Sequence, residues 1–123
     1  MNGVELVERA EAAAANAYAP YSKYHVGASL LTLDGRVFDG VNVENAAYPL
    51  GVCAEKSAIV AAAHAGVRPG DVEAIGITAS PCGGCRQWLH EWRIGRVTFR
   101  LADGTIAEYR ADELLPDTWD LPE

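Results

Sequence analysis

Three cysteines dominate the chemistry that this sequence could perform. Cys82 follows Pro81, and two residues separate it from Cys85, so one turn of backbone can direct both sulfurs at one ion. The chain between Cys53 and Cys82 is long enough to form a helix, a strand and a return, as in a βαβ unit. Three thiolates would hold a zinc ion and leave its fourth position open, which distinguishes catalytic zinc from structural zinc. The spacing therefore predicts a catalytic zinc site.

One acidic residue lies beside this predicted site. Glu55 follows Cys53 by two residues, so its carboxylate can reach the open position without being a ligand. We predict that Glu55 is the acid/base of a zinc hydrolase. The alternative is an exposed helix carboxylate beside half of a closed structural zinc site. A closed site needs a fourth ligand, and the three histidines (His25, His64 and His90) lie outside any ligand spacing.

Charge balance at the zinc requires further groups. Zinc with three thiolates has a formal charge of −1, which weakens it as a Lewis acid. The cysteines open two predicted helices, over residues 53–65 and 82–92, and helix N-termini favour thiolates. A cation beside the sulfurs would also help, and Lys56 and Arg86 are the two candidates.

Composition indicates an ordinary globular chain. Its 123 residues are half hydrophobic and 22% charged, and we expect one domain over residues 1–123. The net charge of −7, with no Lys/Arg cluster, argues against a nucleic-acid partner. The most apolar stretch, residues 57–67, is too short to cross a bilayer, so we expect no membrane partner. Three reduced cysteines that bind metal favour a cytoplasmic protein.

The pattern of apolar residues predicts an α/β fold. Asp34-Gly35 and Asp103-Gly104 each separate two apolar runs and indicate β-hairpins. Together with helical and buried-strand patterns, they predict a mixed sheet with helices on both faces. The predicted elements are a helix over 4–18, strands over 25–33 and 37–43, a helix over 53–65, a strand over 72–78, a helix over 82–92, strands over 96–101 and 106–110, and a helical turn over 112–115.

The motifs together resemble a known family. Cys53-Ala54-Glu55 with Pro81-Cys82-Gly83-Gly84-Cys85 is similar to the signature of the zinc cytidine deaminases. The likeness continues through Ala19–Tyr24, Val26–Ala28, Asn42–Ala46, Tyr48-Pro49, Cys85–Gln87 and Glu113–Pro116. It points to the small, homotetrameric branch that acts on free nucleosides. The resemblance implies a three-layer α/β/α cytidine deaminase-like fold with a mixed five-stranded sheet.

The resemblance also implies a reaction. Cytidine and 2′-deoxycytidine would be hydrolysed to uridine and 2′-deoxyuridine plus ammonia, in pyrimidine salvage. One Zn²⁺ per subunit would be bound by Cys53, Cys82 and Cys85. Glu55 would transfer protons from water to N3 of the ring and then to the departing amine.

For the substrate, the resemblance implies five further residues. Asn42 and Glu44 match a ribose-binding pair, and Tyr24 stands near the base. The backbone of Ala54 would read the pyrimidine edge. Subunits of this family complete one another's sites in a homotetramer, and Tyr48 would serve the pocket of a neighbour.

Three departures from the family pattern bear on these expectations. Lys56 replaces an arginine, and a lysine cannot make the two-pronged contact of a guanidinium. The link Ala79-Ser80 before Pro81 is shorter than is common, which suggests tolerance of N4-substituted cytidines. Trp119, in the tail, stands where an aromatic residue of relatives can cap a neighbouring site.

Two other functions stay open at this point. One is deamination of a related cytosine compound such as blasticidin S, although the Asn42/Glu44 pair favours a ribose. The other is a non-catalytic zinc module used for assembly, for which Glu55 would be dispensable. The acidic balance and the terminal hairpin disfavour nucleic-acid editing.

Overall fold

The structure, a computed structural model, describes residues 1–122 and is built on one five-stranded β-sheet. None of the helices in this range is long and apolar enough to cross a membrane. In chain order the elements are helix α1 (Gly3–Ala13), strands β1 (Gly27–Thr32) and β2 (Val37–Val41), helix α2 (Ala54–His64), strand β3 (Val72–Ile77), helix α3 (Gly83–Glu91), strands β4 (Arg96–Arg100) and β5 (Ile106–Tyr109), and the single-turn helix α4 (Ala111–Leu114).

The sheet is mixed, as predicted. Its strand order is β2-β1-β3-β4-β5, with β3 and β4 parallel and every other neighbouring pair antiparallel. Parallel neighbours need a crossover connection, and α3 supplies it between β3 and β4. Helix α3 therefore begins just beyond the carboxyl end of a central strand, where Cys82 precedes it.

Side chains of β1 alternate between two packed faces. Ala28 and Leu30 lie in a large core with Ala58 of α2 and with residues of α3. Leu31 points to the opposite face and packs with Leu6 of α1. Helices therefore cover both faces of the sheet, and the predicted three-layer α/β/α arrangement is confirmed.

Glycines in the sheet allow α1 to lie unusually close to it. A Cβ atom added to Gly27 would lie 2.0 Å from the carbonyl oxygen of Ala10, and one added to Gly76 would lie 2.5 Å from the carbonyl carbon of Leu6. Both neighbours are backbone atoms of α1, which cannot move aside as a side chain could. Only glycine fits at these two positions.

The first helix is shorter than the predicted range of 4–18. It begins at a reciprocal capping box between Asn2 and Glu5 and ends at Ala13, after which residues 14–16 form a 3₁₀ turn. The N–H of Tyr18 then donates to the carbonyl of Asn42 at 3.0 Å. This pairing with the chain that leaves β2 requires extended backbone, and it overrides the helix propensity of the alanines.

The other predicted elements are present, with ends shifted by at most two residues. Strand β1 begins at Gly27, and β2 ends at Val41. Both predicted hairpin turns contain a glycine with φ of +89°, Gly35 and Gly104. The left-handed Gly66 follows α2, a position that suits glycine at a helix C-terminus.

We expect Gly27→Ala to lower the free energy of unfolding by about 3 kcal/mol, because the added methyl group displaces α1 from the sheet. Chemical denaturation of the purified variants measures this change. Gly95→Ala is the matched control, since its Cβ would make only an ordinary contact of 3.6 Å with the carbonyl oxygen of Glu73. The control should change stability by less than about 1 kcal/mol. Equal effects of the two substitutions would contradict the close approach of α1.

Candidate active site and metal centre

Two helix N-termini bring the three cysteines together. Cys53 is the N-cap residue of α2, and Cys82 is the N-cap residue of α3, both with extended backbone. Cys85 lies in the first turn of α3 and is buried. The backbone N–H groups of Gly84 and Cys85 donate to the sulfur of Cys82. The sulfurs thus lie at the positive ends of two helix dipoles.

The three sulfurs fit a zinc ion. The Sγ atoms of Cys53, Cys82 and Cys85 all lie within 4.8 Å of one another. Zn–S bonds of about 2.3 Å in tetrahedral geometry place sulfurs about 3.8 Å apart, so little adjustment is needed. Within residues 1–122 this is the one cluster of three or more potential metal ligands, and no histidine or carboxylate joins it. Three protein ligands leave a fourth position for water or substrate.

Electrostatics of the cluster also favour a bound cation. Burial raises the pKa of Cys53, and the charges of Cys82 and Glu55 raise it further. Burial likewise raises the pKa of the Cys85 thiol, assisted by the charge of Glu55. At Cys82 burial opposes ionisation, but hydrogen bonds from backbone N–H groups and from the other two thiols lower its pKa. A soft divalent ion such as zinc would offset the repulsion among these groups.

Glu55 is buried beside the sulfurs. Its side chain lies in the first turn of α2 and is 4% exposed. The thiol of Cys85 donates a hydrogen bond to its carboxylate. Burial raises the pKa of Glu55, although this hydrogen bond and the charge of Lys56 act in the opposite direction. A carboxyl group with a raised pKa accepts and releases protons more readily near neutral pH.

A cavity of about 190 Å³ opens beside the cluster. It joins two of the cysteines and Glu55 to three of the residues predicted to bind substrate. The lining residues are Tyr24, Val26, Asn42, Cys53, Ala54, Glu55, Ala79, Ser80 and Cys82. Ala79 and Ser80 come from the short link that follows β3. Val26 was missed, because an apolar residue just before a strand has no functional signal in the sequence.

Asn42 is held in place by backbone groups. Its Oδ1 accepts from the N–H of Val26 at 2.8 Å, and its Nδ2 donates to the carbonyl of Tyr24 at 2.8 Å. These two bonds connect the end of β2 to the loop before β1. An amide has two acceptor lone pairs and two N–H donors, so one of each remains for a ligand.

Glu44 and Tyr48 line a different cavity, of about 290 Å³. The carboxylate of Glu44 accepts from the N–H groups of Tyr21 and Ser22, at 3.0 and 3.1 Å, and from the hydroxyl of Ser22. The hydroxyl and N–H of Ser22 lower the pKa of Glu44. Of the predicted ribose pair, Asn42 lines the first cavity and Glu44 the second. The contact with Ser22 was not predicted.

Comparison with known proteins identifies the family. The sequence model of the family described as "Cytidine and deoxycytidylate deaminase zinc-binding region" matches residues 2–101. The chain belongs to this deaminase family. A cytidine deaminase of Sporosarcina psychrophila is 39% identical to it, over 94% of this chain and 90% of the relative. One of Mycobacterium tuberculosis is 41% identical, over 90% of this chain and 84% of the relative.

Solved structures of deaminases have the same fold. The crystal structure of cytidine deaminase from Burkholderia pseudomallei matches with a TM-score of 0.90 and 43% identity, over 97% of this chain and all of that chain. The enzyme from Mycobacterium tuberculosis gives 0.83 and 36%, over 98% of this chain and 99% of that chain. A dCMP deaminase of cyanophage S-TIM5, at 21% identity and a TM-score of 0.67 over 83% of this chain and 85% of that chain, shares the fold alone. The predicted cytidine deaminase-like fold is confirmed.

Of the two cations predicted near the deaminase sulfurs, Arg86 contacts mainly backbone. Its Nε donates to the carbonyl of Pro81 at 2.9 Å and its Nη1 to the carbonyl of Leu114 at 3.0 Å. Its Nη2 donates to the hydroxyl of Ser80 at 3.2 Å. Arg86 therefore connects the loop that precedes Cys82 to the end of α4.

The tail of this deaminase-family chain lies along α3. Gln87 donates to the carbonyl of Trp119 at 3.5 Å, and His90 pairs with Asp120 at 2.8 Å. The Trp119 side chain itself is 68% exposed. Its predicted contact with a neighbouring site stays a prediction.

Proposed function

We propose that this chain hydrolyses cytidine and 2′-deoxycytidine to uridine and 2′-deoxyuridine, with release of ammonia. One observation carries the proposal: a buried carboxylate, Glu55, lies against three sulfurs that leave a metal position open, at the edge of a cavity. Membership of the deaminase family and relatives named cytidine deaminase at 39–42% identity support it. The cofactor is zinc, one ion per subunit.

Cys53, Cys82 and Cys85 would hold the zinc. When bound there, the ion supplies Lewis-acid chemistry that makes water a nucleophile near neutral pH. The helix N-termini at Cys53 and Cys82 stabilise the thiolate forms of these ligands. Arg86 fixes the loop from which Cys82 projects.

Glu55 moves the protons of the reaction. Its carboxylate accepts a proton from the attacking water and passes it to N3 of the ring. A C–O bond forms at C4. Glu55 then takes the proton of the new C4 hydroxyl group and delivers it to the exocyclic amine, so that the C4–N bond breaks, a C4 carbonyl forms and ammonia leaves. Burial favours this double role, because it brings the pKa of Glu55 closer to neutrality.

The substrate would lie along the 190 Å³ cavity. Tyr24 flanks the base, and the free N–H of Ala54, in the first turn of α2, reads the pyrimidine edge. Asn42 uses its remaining donor and acceptor for a ribose hydroxyl. Glu44 acts on the sugar together with Asn42, and Tyr48 reaches the site of a neighbouring subunit. A site built for hydroxyl groups rejects analogues that lack them.

Glu55→Gln should retain zinc and lower kcat/KM for cytidine by about 10³-fold, because the amide cannot carry the proton. Ultraviolet absorbance follows the loss of cytidine or 2′-deoxycytidine, and metal analysis of the same sample measures zinc. Glu8→Gln, on the exposed side of α1, is the matched control and should be fully active.

Other outcomes of this experiment would identify other functions. Full activity of Glu55→Gln would contradict the proton-transfer role. A zinc-loaded wild-type chain with no turnover would favour the assembly module. Faster turnover of blasticidin S than of cytidine would favour the alternative substrate.

The short link after β3 supports a broader substrate range. Residues 78–82 alone separate β3 from α3, and the small side chains of Ala79 and Ser80 line the cavity beside Cys82 and Glu55. This leaves room beside the exocyclic amine of a bound cytidine. The enzyme therefore also accepts N4-substituted cytidines.

We expect kcat/KM for N4-methylcytidine to lie within about 10²-fold of that for cytidine, with methylamine as the product. Steady-state rates and product analysis by chromatography measure this. Ala79→Leu fills the space and should lower the rate on N4-methylcytidine more than the rate on cytidine. Turnover of N4-methylcytidine at background, beside efficient turnover of cytidine, would refute the tolerance.

Exposed apolar side chains support a homotetramer with shared sites. Tyr48 is 74% exposed and Leu50 70% exposed, and both lie in the connection between β2 and α2. Neighbouring exposed apolar side chains of this size often mark an interface. A neighbour that covers them would bring its cavity next to Tyr48.

Sedimentation equilibrium should give a mass close to four times the 13.1 kDa of one chain. Tyr48→Asp places a charge in the interface and should shift the mass towards smaller species, with a parallel loss of activity. Val4→Asp, on the exposed side of α1, is the control and should leave the mass unchanged. A fully active monomer would contradict the shared sites.

The setting of the reaction follows from its chemistry. Deamination of free nucleosides belongs to pyrimidine salvage, and reduced cysteines suit the cytoplasm. The net charge of −7, with no cluster of basic residues, favours a small nucleoside over a nucleic acid as the partner.

A further inference from the structure

The ammonium group of Lys56 lies against an aromatic ring of α3. Its Nζ is 5.9 Å from the ring centroid of Trp88, within the range of cation–π attraction. Within residues 1–122, none of the carboxylates forms a salt bridge with Lys56. The ring is therefore a defined partner of this charge in the described part of the chain.

The same ammonium and a sulfur of the metal cluster both lie near Gly84. A Cβ atom placed on Gly84 would lie 3.8 Å from Nζ of Lys56 and 4.0 Å from Sγ of Cys82. The charge and the sulfur therefore approach the same point on the first turn of α3. Gly84 and Trp88 are four residues apart and share one face of that helix.

A lysine needs support to hold its charge in one place. Its ammonium is a strongly hydrated point charge on a flexible four-carbon stem, so an unsupported Lys56 would extend into solvent. Trp88 is 36% exposed, and its ring restricts the stem while it attracts the charge. Zinc with three thiolates has a net formal charge of −1, which a nearby fixed cation stabilises.

We propose that Trp88 is a positioning residue that holds the Lys56 ammonium beside Cys82 and thereby slows the loss of zinc from the cysteine cluster. The inference rests on the proposed zinc-binding role of the three cysteines. Trp88 acts through Lys56 and contacts neither the substrate nor the reacting atoms. Groups that orient or stabilise metal ligands commonly change metal affinity by 10–100-fold.

The test is a double-mutant cycle on zinc release. Zinc-loaded wild type, Trp88→Leu, Lys56→Met and the double variant are mixed with excess chromophoric chelator, and the release rate is followed by absorbance. Each single substitution should speed release by about tenfold. The double variant should release zinc no faster than Lys56→Met alone. Trp88→Phe keeps an aromatic face and should restore part of the retention.

Trp92→Leu is the matched control on the same helix. Trp92 packs against the core, and among residues 1–122 no cation lies over its ring. Trp92→Leu should change the rate of zinc release by the same factor in the wild-type and Lys56→Met backgrounds. Thermal unfolding of each variant shows that it is folded, and if Trp88→Leu is not, Trp88→Phe replaces it in the cycle.

Two results would overturn the inference while the proposed function stands. One is an unchanged release rate in Trp88→Leu. The other is an equal acceleration of zinc release by Trp88→Leu in the wild-type and Lys56→Met backgrounds. That result would mean that Trp88 contributes packing alone. A wild-type chain that does not retain one zinc per subunit would instead overturn the roles of the cysteines.

Discussion

Repulsion among acidic groups is the interaction on which the site depends. Three thiols and the carboxyl group of Glu55 meet within one cluster, in which Cys85 and Glu55 are buried. Loss of hydration disfavours the charged forms of all four groups. This cost is offset by two helix N-termini, by the backbone N–H groups that donate to Cys82 and by a divalent cation. A cluster of this kind contributes little to core packing, but it is well suited to bind a metal and transfer a proton.

The fold keeps these groups together by close contacts between helices and sheet. A Cβ atom on Gly40 would lie 2.3 Å from the backbone nitrogen of Ala58, so α2 lies directly on β2. Small residues of α2, among them Ala54 and Ala58, form the surface that meets the sheet. On the other side, α3 is fixed by the crossover from β3 to β4, and Arg86 holds the loop at its start. The positions of the sulfurs therefore follow from packing over the whole domain core.

The polar side of the site is organised differently. Asn42 and Glu44 bond mainly to backbone N–H and carbonyl groups of residues 21–26, so they shape the loop before β1 as well as any ligand site. The loop brings Tyr24 to one cavity and Tyr21 to the other. The proposed sugar-binding pair is thus coupled to the conformation of this loop, whereas the metal side is fixed by regular elements.

The sequence by itself was sufficient for features that depend on neighbouring residues. The spacing of Cys53, Glu55, Cys82 and Cys85 at helix starts is local, and so are the Asp-Gly turns of both hairpins. Tertiary structure alone decided the rest: the end of α1 at Ala13, the bonds of Arg86 to distant backbone, the bonds of Glu44 to Tyr21 and Ser22, and the ring of Trp88 under Lys56. Each of these depends on a contact between segments remote in the chain. Local propensity and spacing hold no information about such contacts, because they form only when the sheet and its two helical layers pack together.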